Sequence, residues 1–276
     1  MNQNRIHHLS VIHPDAHLHE TVEVGPFTTI YEDVYIGEGT WIGPNVTIFP
    51  GARIGKHCKI FPGAVIAAEP QDLKYNNEYT TVEIGNYVII RECVTIHKGT
   101  EYSYKTVIGN NSLIMAYSHI AHDCVIGNHV IIANATNMAG HVIIDDFAII
   151  GGMTAIHQFC KIGKHVIIQG GSLVRKDIPP YIKAGREPMV FEGLNLIGLK
   201  RRGFPNEDIE LIKDIYRVYY GNGMNISQAT LKVEETFGDS IYKTEILNFI
   251  KNSQRGILKG YSANSFNDTD TDSEFE

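Results

Sequence analysis

SHIAHDCVIGNHVIIANATNMAGHVIIDDFAIIG, residues 118–151, places an aliphatic side chain at every sixth position: Ile120, Ile126, Ile132, Met138, Ile144 and Ile150. The same phase extends outward from Ile6 to Val174. Of the 29 positions divisible by six in that window, 22 are Ile and the others include Leu18, Val24, Met138 and Val174; only Asp72, Glu78 and Tyr102 break the rule. A helix repeats near 3.6 residues and a half-buried strand repeats at two, so neither alone yields a period of six. A coiled parallel β-solenoid does. Strands scattered through a sandwich would not keep phase for 168 residues.

A second register lies two residues earlier. From Ser10 to Ser172 it holds only Ser, Ala, Val, Thr and Cys, apart from Pro70 and Asn76. Residues i−2 and i share one face of a strand, so each hexad reads as a short strand plus a turn, with one large and one small residue facing the core. Three such strands close a triangular coil of eighteen residues, which gives about nine coils, each spaced about 4.8 Å from the next. Each buried isoleucine contributes roughly 1.5–3 kcal/mol. Gly25, Gly37, Gly43, Gly55, Gly85, Gly109, Gly127, Gly151 and Gly163 follow the aliphatic position, and are expected to supply a permissive backbone at the corners. Handedness does not follow from the spacing, because the right-handed crossover rule need not govern this repeat class.

Unpaired charges cannot sit in an apolar core, so Asp72 and Glu78 require residues 69–79 to leave the solenoid as a loop. Tyr102 marks a second excursion, residues 100–106. Loops on a rigid scaffold carry function or merely decorate it. The first brings Asp72 and Lys74 close together, whereas the second is open to the plainer reading of surface decoration.

The chain has 276 residues, 20% of them charged, which suits one or two soluble domains. There is no apolar run of eighteen residues and no signal-peptide core, so neither stable membrane insertion nor export is expected. Cys58, Cys124 and Cys160 occupy the small inward register and Cys93 does not. Without a disulfide framework or a CxxC pair, a cytoplasmic location is expected. The net charge is −7, of which residues 262–276 supply −5; no nucleic acid is expected as a partner. Residues 161–202 hold nine Lys or Arg against Asp177, Glu187 and Glu192, and such a basic segment suits an anionic ligand or partner, or simply a solvated face.

Pro179, Pro180 and Pro188 mark an exit from the repeat. The expected organisation is a β-helix over residues 1–187, a small all-α domain over 188–260 and an acidic, disordered tail over 261–276. Helices are expected near 206–220, with Ile209, Ile212, Ile215, Tyr216 and Tyr219 on one face; near 227–237, capped by Ser227; and near 240–254, capped by Asp239 or Ser240. They would cover an open end of the solenoid.

Residues eighteen apart should be neighbours on successive coils. His122, Gly140 and Gln158 then share one column, and Asp123 and His141 the next, at a corner and pointing outward. His97, His119 and His157 fall nearby. Two apolar columns, Leu113-Ile131-Ile149-Ile167 and Ile89-Val107-Val125-Ile143, point outward and imply an oligomer, for which a closed trimer suits the geometry. A neutral histidine is a natural general base near pH 7. Asp123 could set its tautomer, and a free N–H at Gly140 could stabilise an oxyanion. A base and an oxyanion donor without an evident nucleophile point to direct acyl transfer between two bound substrates. The competing reading is a histidine metal site between subunits, for which the spacing of His119 and His122 is unlike that of the solenoid carbonic anhydrases. A scaffold or ice-binding solenoid would show a more repetitive outer face.

Six segments together resemble the acyltransferases that load a hydroxyacyl chain from acyl-carrier protein onto UDP-N-acetylglucosamine at the start of lipid A synthesis: QDLKY (71–75), VTIHKGT (94–100), SHIAHDCVIGN (118–128), AGHV (139–142), DDFAIIGGMTAIHQFC (145–160) and GLKRRGF (198–204). The resemblance implies a left-handed parallel β-helix followed by a small helical domain, a homotrimer, and active sites between subunits. It implies that His122 takes the proton of the sugar 3-hydroxyl, that Asp123 orients it, and that the Gly140 N–H forms the oxyanion hole. Asp72 and Lys74 would hold the sugar nucleotide, and His97, His119, His141, His157 and Gln158 would line the sugar and acyl sites. Asn195 and Arg202 would contact the nucleotide and phosphates, and Gly170 would leave room for a long acyl chain. The basic 161–202 segment would meet the acidic carrier protein, whose phosphopantetheine arm carries the acyl donor; no cofactor and no metal are implied. Ile197 stands where some members of that family have an acidic residue that contacts the ribose, a departure that leaves the uridine contacts here open. The sister N-acyltransferase of the same pathway and the acetyl-coenzyme A acetyltransferases share the repeat. The former usually has an N-terminal uridine-binding domain, whereas here the repeat begins by Ile6. A 3-amino sugar is an alternative acceptor.

Overall fold

The computed structural model describes residues 5–221 and 223–260. The expected acidic tail lies outside the described residues. Two-residue strands dominate, and they stack into three sheets of nine, eight and eleven strands, parallel except for one antiparallel pairing near the end of the third. Strands three apart along the chain pair with each other, so the chain winds once around a triangular prism per coil. The first sheet runs from Val11–Ile12 to Leu173–Val174, the second from His17–Leu18 to Lys161–Ile162, and the third starts at Glu23–Val24. Both inward registers form the core: Ile30 through Ile66 and Ile84 through Ile168 lie at most 4% exposed wherever the hexad holds. Most inward hydroxyls are bonded to backbone, which removes the cost of burying them, although Thr106 Oγ1 has no partner among the described residues. Thr28 Oγ1 donates to Gly43 O at 2.7 Å, and Thr40 Oγ1 to Gly55 O at 2.9 Å.

The two interruptions are loops, as their charged residues require. The first separates strands Val65–Ala68 and Thr81–Ile84, and the second separates Thr95–His97 and Lys105–Ile108. Ile66 pairs with Ile96, thirty residues on, and Ile84 with Ile108, twenty-four on. Between the regular coils the step is eighteen, as between Ile120 and Met138, and at the exit it is sixteen, from Ile168 to Ala184. The loops therefore add twelve and six residues, whole hexads, which is why the phase survives them.

Counting by eighteen across a loop fails for the same reason. Ile89 pairs with Lys59 and Leu113 in the third sheet. It does not extend the Val107-Val125-Ile143 column, which lies in the second sheet and is preceded by Glu83.

The glycines also act differently from expectation. The left-handed corner conformation falls two residues further on and is taken mostly by bulky residues, among them Phe27 (φ 61°), His57 (53°), Asp123 (59°) and Phe159 (64°). The glycine position is set by coil spacing instead. A Cβ at Gly109 would lie 2.5 Å from the carbonyl carbon of Gly127 on the next coil, and one at Gly55 2.5 Å from Gly85 O.

Strand Ile182–Gly185 continues the third sheet, and Val190–Leu194 pairs antiparallel with it, so the sheet runs across residue 187. Four helices follow: α1 (Leu196–Arg201), α2 (Asn206–Gly221), α3 (Ile226–Thr236) and α4 (Ile241–Lys251). The buried face of α2 is Ile209, Ile212, Ile215, Tyr216 and Tyr219, as its spacing requires. The short α1 is additional. The cap of α3 is Asn225 rather than Ser227: Asn225 accepts from Gln228 N while the Gln228 side chain accepts from Asn225 N, a reciprocal capping box. Ser240 caps α4. The helices lock onto the last coils through Tyr216 Oη to Pro180 O (2.7 Å) and through Glu245, whose carboxylate accepts from Lys164 and Tyr181. Among the described residues no helix is long and apolar enough to cross a membrane. Cys58, Cys124 and Cys160 are buried, Cys93 is exposed, and all four are free thiols.

Candidate active site

The corner between the first and second sheets follows strands His119–Ile120, Asn137–Met138 and Ala155–Ile156. It stacks His122 and Asp123 over Gly140 and His141, and these over Gln158 and Phe159. His141 N donates to His122 O at 3.1 Å and Phe159 N to Gly140 O at 3.2 Å. The left-handed turn at Asp123 is the regular corner conformation, so the solenoid itself sets the backbone that carries the pair.

His122 Nδ1 lies 2.7 Å from Asp123 Oδ2. A carboxylate can only accept there, so Nδ1 carries a proton, and in the neutral ring Nε2 is the bare nitrogen. Neither residue points freely outward as the column count suggested: His122 is 9% exposed and Asp123 3%. The second loop covers them. Asp123 Oδ1 accepts from Ser103 Oγ (2.5 Å), Thr100 N (3.1 Å) and Ser103 N (3.2 Å), and Oδ2 also accepts from Thr100 Oγ1 (2.7 Å). Burial alone would raise the pKa of Asp123, but the bonds from His122, Ser103 and Thr100 outweigh it and hold the group well below the carboxylate range. Thr100 and Ser103 were not legible as site residues. Tyr102 located the loop, but what the loop touches depends on the six-residue lengthening of its coil.

A Cβ built on Gly140 would fall 2.5 Å from His122 Cε1 and 2.6 Å from Nε2, so the imidazole occupies the space that a side chain would need. Among the described residues the Gly140 N–H has no acceptor. The register explains this, because the residue two past the inward aliphatic does not donate to the regular ladder; Lys98 N, which reaches Ala68 O at 3.1 Å beside the loops, is an exception. Pro14, Pro26, Pro44, Pro50 and Pro62 occupy that position elsewhere. At the next corner the N–H groups of Asn86, Asn110 and Asn128 are capped by Asn110, Asn128 and Asp146 side chains from the following coil, at 2.8, 2.9 and 2.6 Å. Gly140 has no such cap.

Around this centre, His141 stacks on Phe159 (4.3 Å, 2°) and meets the Tyr102 ring edge-on at 4.4 Å. His97 and His119 meet at 4.8 Å, and His119 Nδ1 lies 2.7 Å from Thr95 Oγ1. Burial, then the nearby His119 and His122, lower the His97 pKa to about 4. Burial, then His122, lower that of His119. Burial lowers that of His141, opposed by the charges of Asp123 and, more weakly, Asp72, which puts the first loop within electrostatic reach of the corner. Lys74 is exposed, and its N–H donates to Asp72 Oδ1 at 3.0 Å. His157 and Gln158 are exposed one coil further on, with His157 Nδ1 donating to Gln158 O at 3.1 Å.

The remaining expected residues lie at other corners. Gly170 is exposed between the third and first sheets. Asn195 and Arg202 sit against the corner between the second and third. Asn195 caps α1, accepting from Gly198 N while its Nδ2 donates to His165 O at 2.9 Å. Arg202 Nη2 donates to Phe147 O at 3.2 Å, and its buried Nη1 has no partner among the described residues. Within one chain these three are not brought to His122. Of the basic segment, Lys164 pairs with Glu245 and Arg186 with Glu192, so part of that charge is spent internally.

His122, Asp123 and His141 each place one donor atom within 4.8 Å of the others, a spacing that a metal ion could exploit. Asp123 already accepts five hydrogen bonds, however, and a metal would have to compete with them.

The hexapeptide family of bacterial transferases matches residues 33–68 and 105–140, on either side of the two loops. Residues 177–258 match the second domain of UDP-N-acetylglucosamine O-acyltransferases. The chain is 41% identical over 191 residues to the acyl-carrier-protein-dependent UDP-N-acetylglucosamine O-acyltransferase of Thiobacillus denitrificans, covering 69% of this chain and 74% of that one. The crystal structure of the UDP-N-acetylglucosamine acyltransferase of Bacteroides fragilis superposes with a TM-score of 0.90 at 50% identity, covering 92% of this chain and 99% of that one. The chain belongs to this O-acyltransferase family. The Francisella novicida enzyme superposes at 0.91 with 39% identity, over 98% and 100% of the two chains. The prism is the left-handed parallel β-helix of the family, with its small helical domain.

Proposed function

We propose that this acyltransferase moves a (R)-3-hydroxyacyl chain from the phosphopantetheine arm of acyl-carrier protein to the 3-hydroxyl of UDP-N-acetylglucosamine, the first step of lipid A synthesis. The names of its relatives support the substrates. The observation that carries the mechanism is the bare His122 Nε2, with Asp123 on Nδ1 and the uncapped Gly140 amide against the same ring. Nε2 removes the 3-hydroxyl proton as that oxygen attacks the thioester carbonyl carbon. The carbonyl oxygen becomes an oxyanion facing the Gly140 N–H. Collapse breaks the carbon–sulfur bond, and His122 returns its proton to the leaving thiolate. The acyl donor arrives on its carrier, and no resident cofactor takes part.

Asp72 and Lys74 bind the sugar nucleotide, and His97, His119, His141, His157 and Gln158 line the cleft. Asn195, Arg202 and Gly170 contribute nucleotide contacts and acyl room from a neighbouring subunit of a homotrimer. The apolar columns Leu113-Ile131-Ile149-Ile167 and Val107-Val125-Ile143, none of them fully buried in one chain, support that assembly. Four free thiols fit a cytoplasmic setting.

The test offers hydroxyacyl-carrier protein and acetyl-coenzyme A separately with UDP-N-acetylglucosamine, to wild type and to His122→Ala. Transfer is expected only from the carrier protein, with product at the 3-hydroxyl. His122→Ala is expected to lower turnover by on the order of 10²–10⁴ or more in a folded protein. Acetyl transfer alone, or wild-type turnover in the variant, rejects the reading.

A further inference from the structure

We propose that Thr100 and Ser103, at the two ends of the inserted hexad, are positioning residues for the general base, acting on His122 through Asp123. This rests on His122 being that base.

The insertion is built to deliver these two side chains. It leaves and re-enters the solenoid at one point: a Cβ on Gly99 would lie 2.2 Å from Lys105 N, so only glycine allows so tight a return. Tyr104 N donates to Thr100 O at 2.8 Å, which closes the loop on itself, and Ser103 Oγ lies 2.9 Å from Lys105 O. Glu101 N donates to Glu78 Oε1 at 3.0 Å, which ties the loop to the sugar-nucleotide loop. Thr100 is 5% exposed, and both its N–H and its hydroxyl end on Asp123.

The two hydroxyls do different things. Oδ2 is shared between Thr100 Oγ1 and His122 Nδ1, so the threonine fixes the carboxylate edge that holds the imidazole. Oδ1 takes Ser103 Oγ and two backbone N–H groups, which keep the carboxylate anionic and stop it rotating. An anionic, immobile Asp123 leaves the His122 proton on Nδ1 and Nε2 aimed at the acceptor. A rotated Asp123 would release the ring, and a mispositioned base loses rate without losing substrate.

The experiment measures kcat and KM with hydroxyacyl-carrier protein and UDP-N-acetylglucosamine for Thr100→Val, Thr100→Ser, Ser103→Ala and Asp123→Asn, and for each of the first three combined with Asp123→Asn. Thermal unfolding checks each fold. Thr100→Val is expected to lower kcat by roughly 10- to 100-fold with KM for the sugar nucleotide within about threefold of wild type, and Ser103→Ala by a smaller factor. Thr100→Ser, which keeps the hydroxyl, restores most of the rate. In the Asp123→Asn background the same changes cost little more, because their target is gone. Equal losses in both backgrounds, no rescue by serine, or an effect on KM alone overturns the inference. If His122→Ala itself retains activity, it is the base assignment that fails.

Discussion

The ring of His122 occupies the volume that a Cβ on Gly140 would fill, with Cε1 2.5 Å from the ideal Cβ position. Gly140 carries the free amide, His122 of the preceding coil is the proposed base, and the absent side chain lets the two share one crevice. Gly140→Ala tests this contact. Its backbone is not left-handed, so alanine is tolerated locally, but the imidazole must move. Turnover is expected to fall on the order of 10²-fold or more, with the thermal midpoint little changed. Near-wild-type kcat would remove the contact from the mechanism.

A glycine far from the site answers to coil spacing alone. Gly109→Ala would place a Cβ 2.5 Å from the next coil's backbone, which cannot yield as a side chain would. Overpacking of this kind costs typically about 1–3 kcal/mol. The denaturation midpoint should drop, with KM unchanged in whatever folds. An unaltered midpoint would mean that the coils can part locally.

Acid should weaken the fold in two stages. His97 and His165 have pKa values lowered to about 4, in both cases first by burial, then by His119 and His122 around the one and by Arg202 and Lys164 around the other. Between pH 6.5 and 4 the unfolded chain therefore binds protons that the native chain does not. Stability is lost as pH falls through that window, by on the order of 3 kcal/mol per histidine. Asp123, held low, contributes stability that is present above the unfolded value near 3.9 and is lost only below it. Urea unfolding at pH 7, 5.5 and 4 measures the slope. His165→Phe, which keeps an aromatic between Phe147 and Tyr181 at 4.9 and 5.7 Å, should flatten part of it. A slope identical to wild type would acquit His165.

Lys74 is exposed on the first loop, with no side-chain partner among the described residues. Lys74→Ala is expected to raise KM for UDP-N-acetylglucosamine several-fold, leaving kcat within about a factor of three, as lost ground-state binding does. Isothermal titration with the sugar nucleotide checks it; unchanged affinity would place the nucleotide elsewhere.

Much of the fold was open to reading along one dimension, because a solenoid's contacts are periodic in sequence. Ile120 and Met138 pair because they are eighteen residues apart, and the α2 face from Ile209 to Tyr219 follows from helical spacing. Where the period was interrupted, inference stopped at the interruption. Ile89 changed sheets, and Asp123 acquired Thr100 and Ser103 as partners, because loops of twelve and six residues altered the step between coils. The corner glycines were found but misread, since crowding against the next coil cannot be seen in a single strand.

The order of residues alone determined that a triangular parallel prism forms, which side chains fill it, and that His122 and Gly140 share a column, because a fixed repeat converts sequence separation into distance. Only the folded chain decided that the second loop turns back over Asp123, that the Gly140 amide stays uncapped while its counterparts at the next corner do not, and that Asn195 and Arg202 sit a corner away. Those outcomes depend on where loops and helices come to rest in space, and no period in the sequence encodes that.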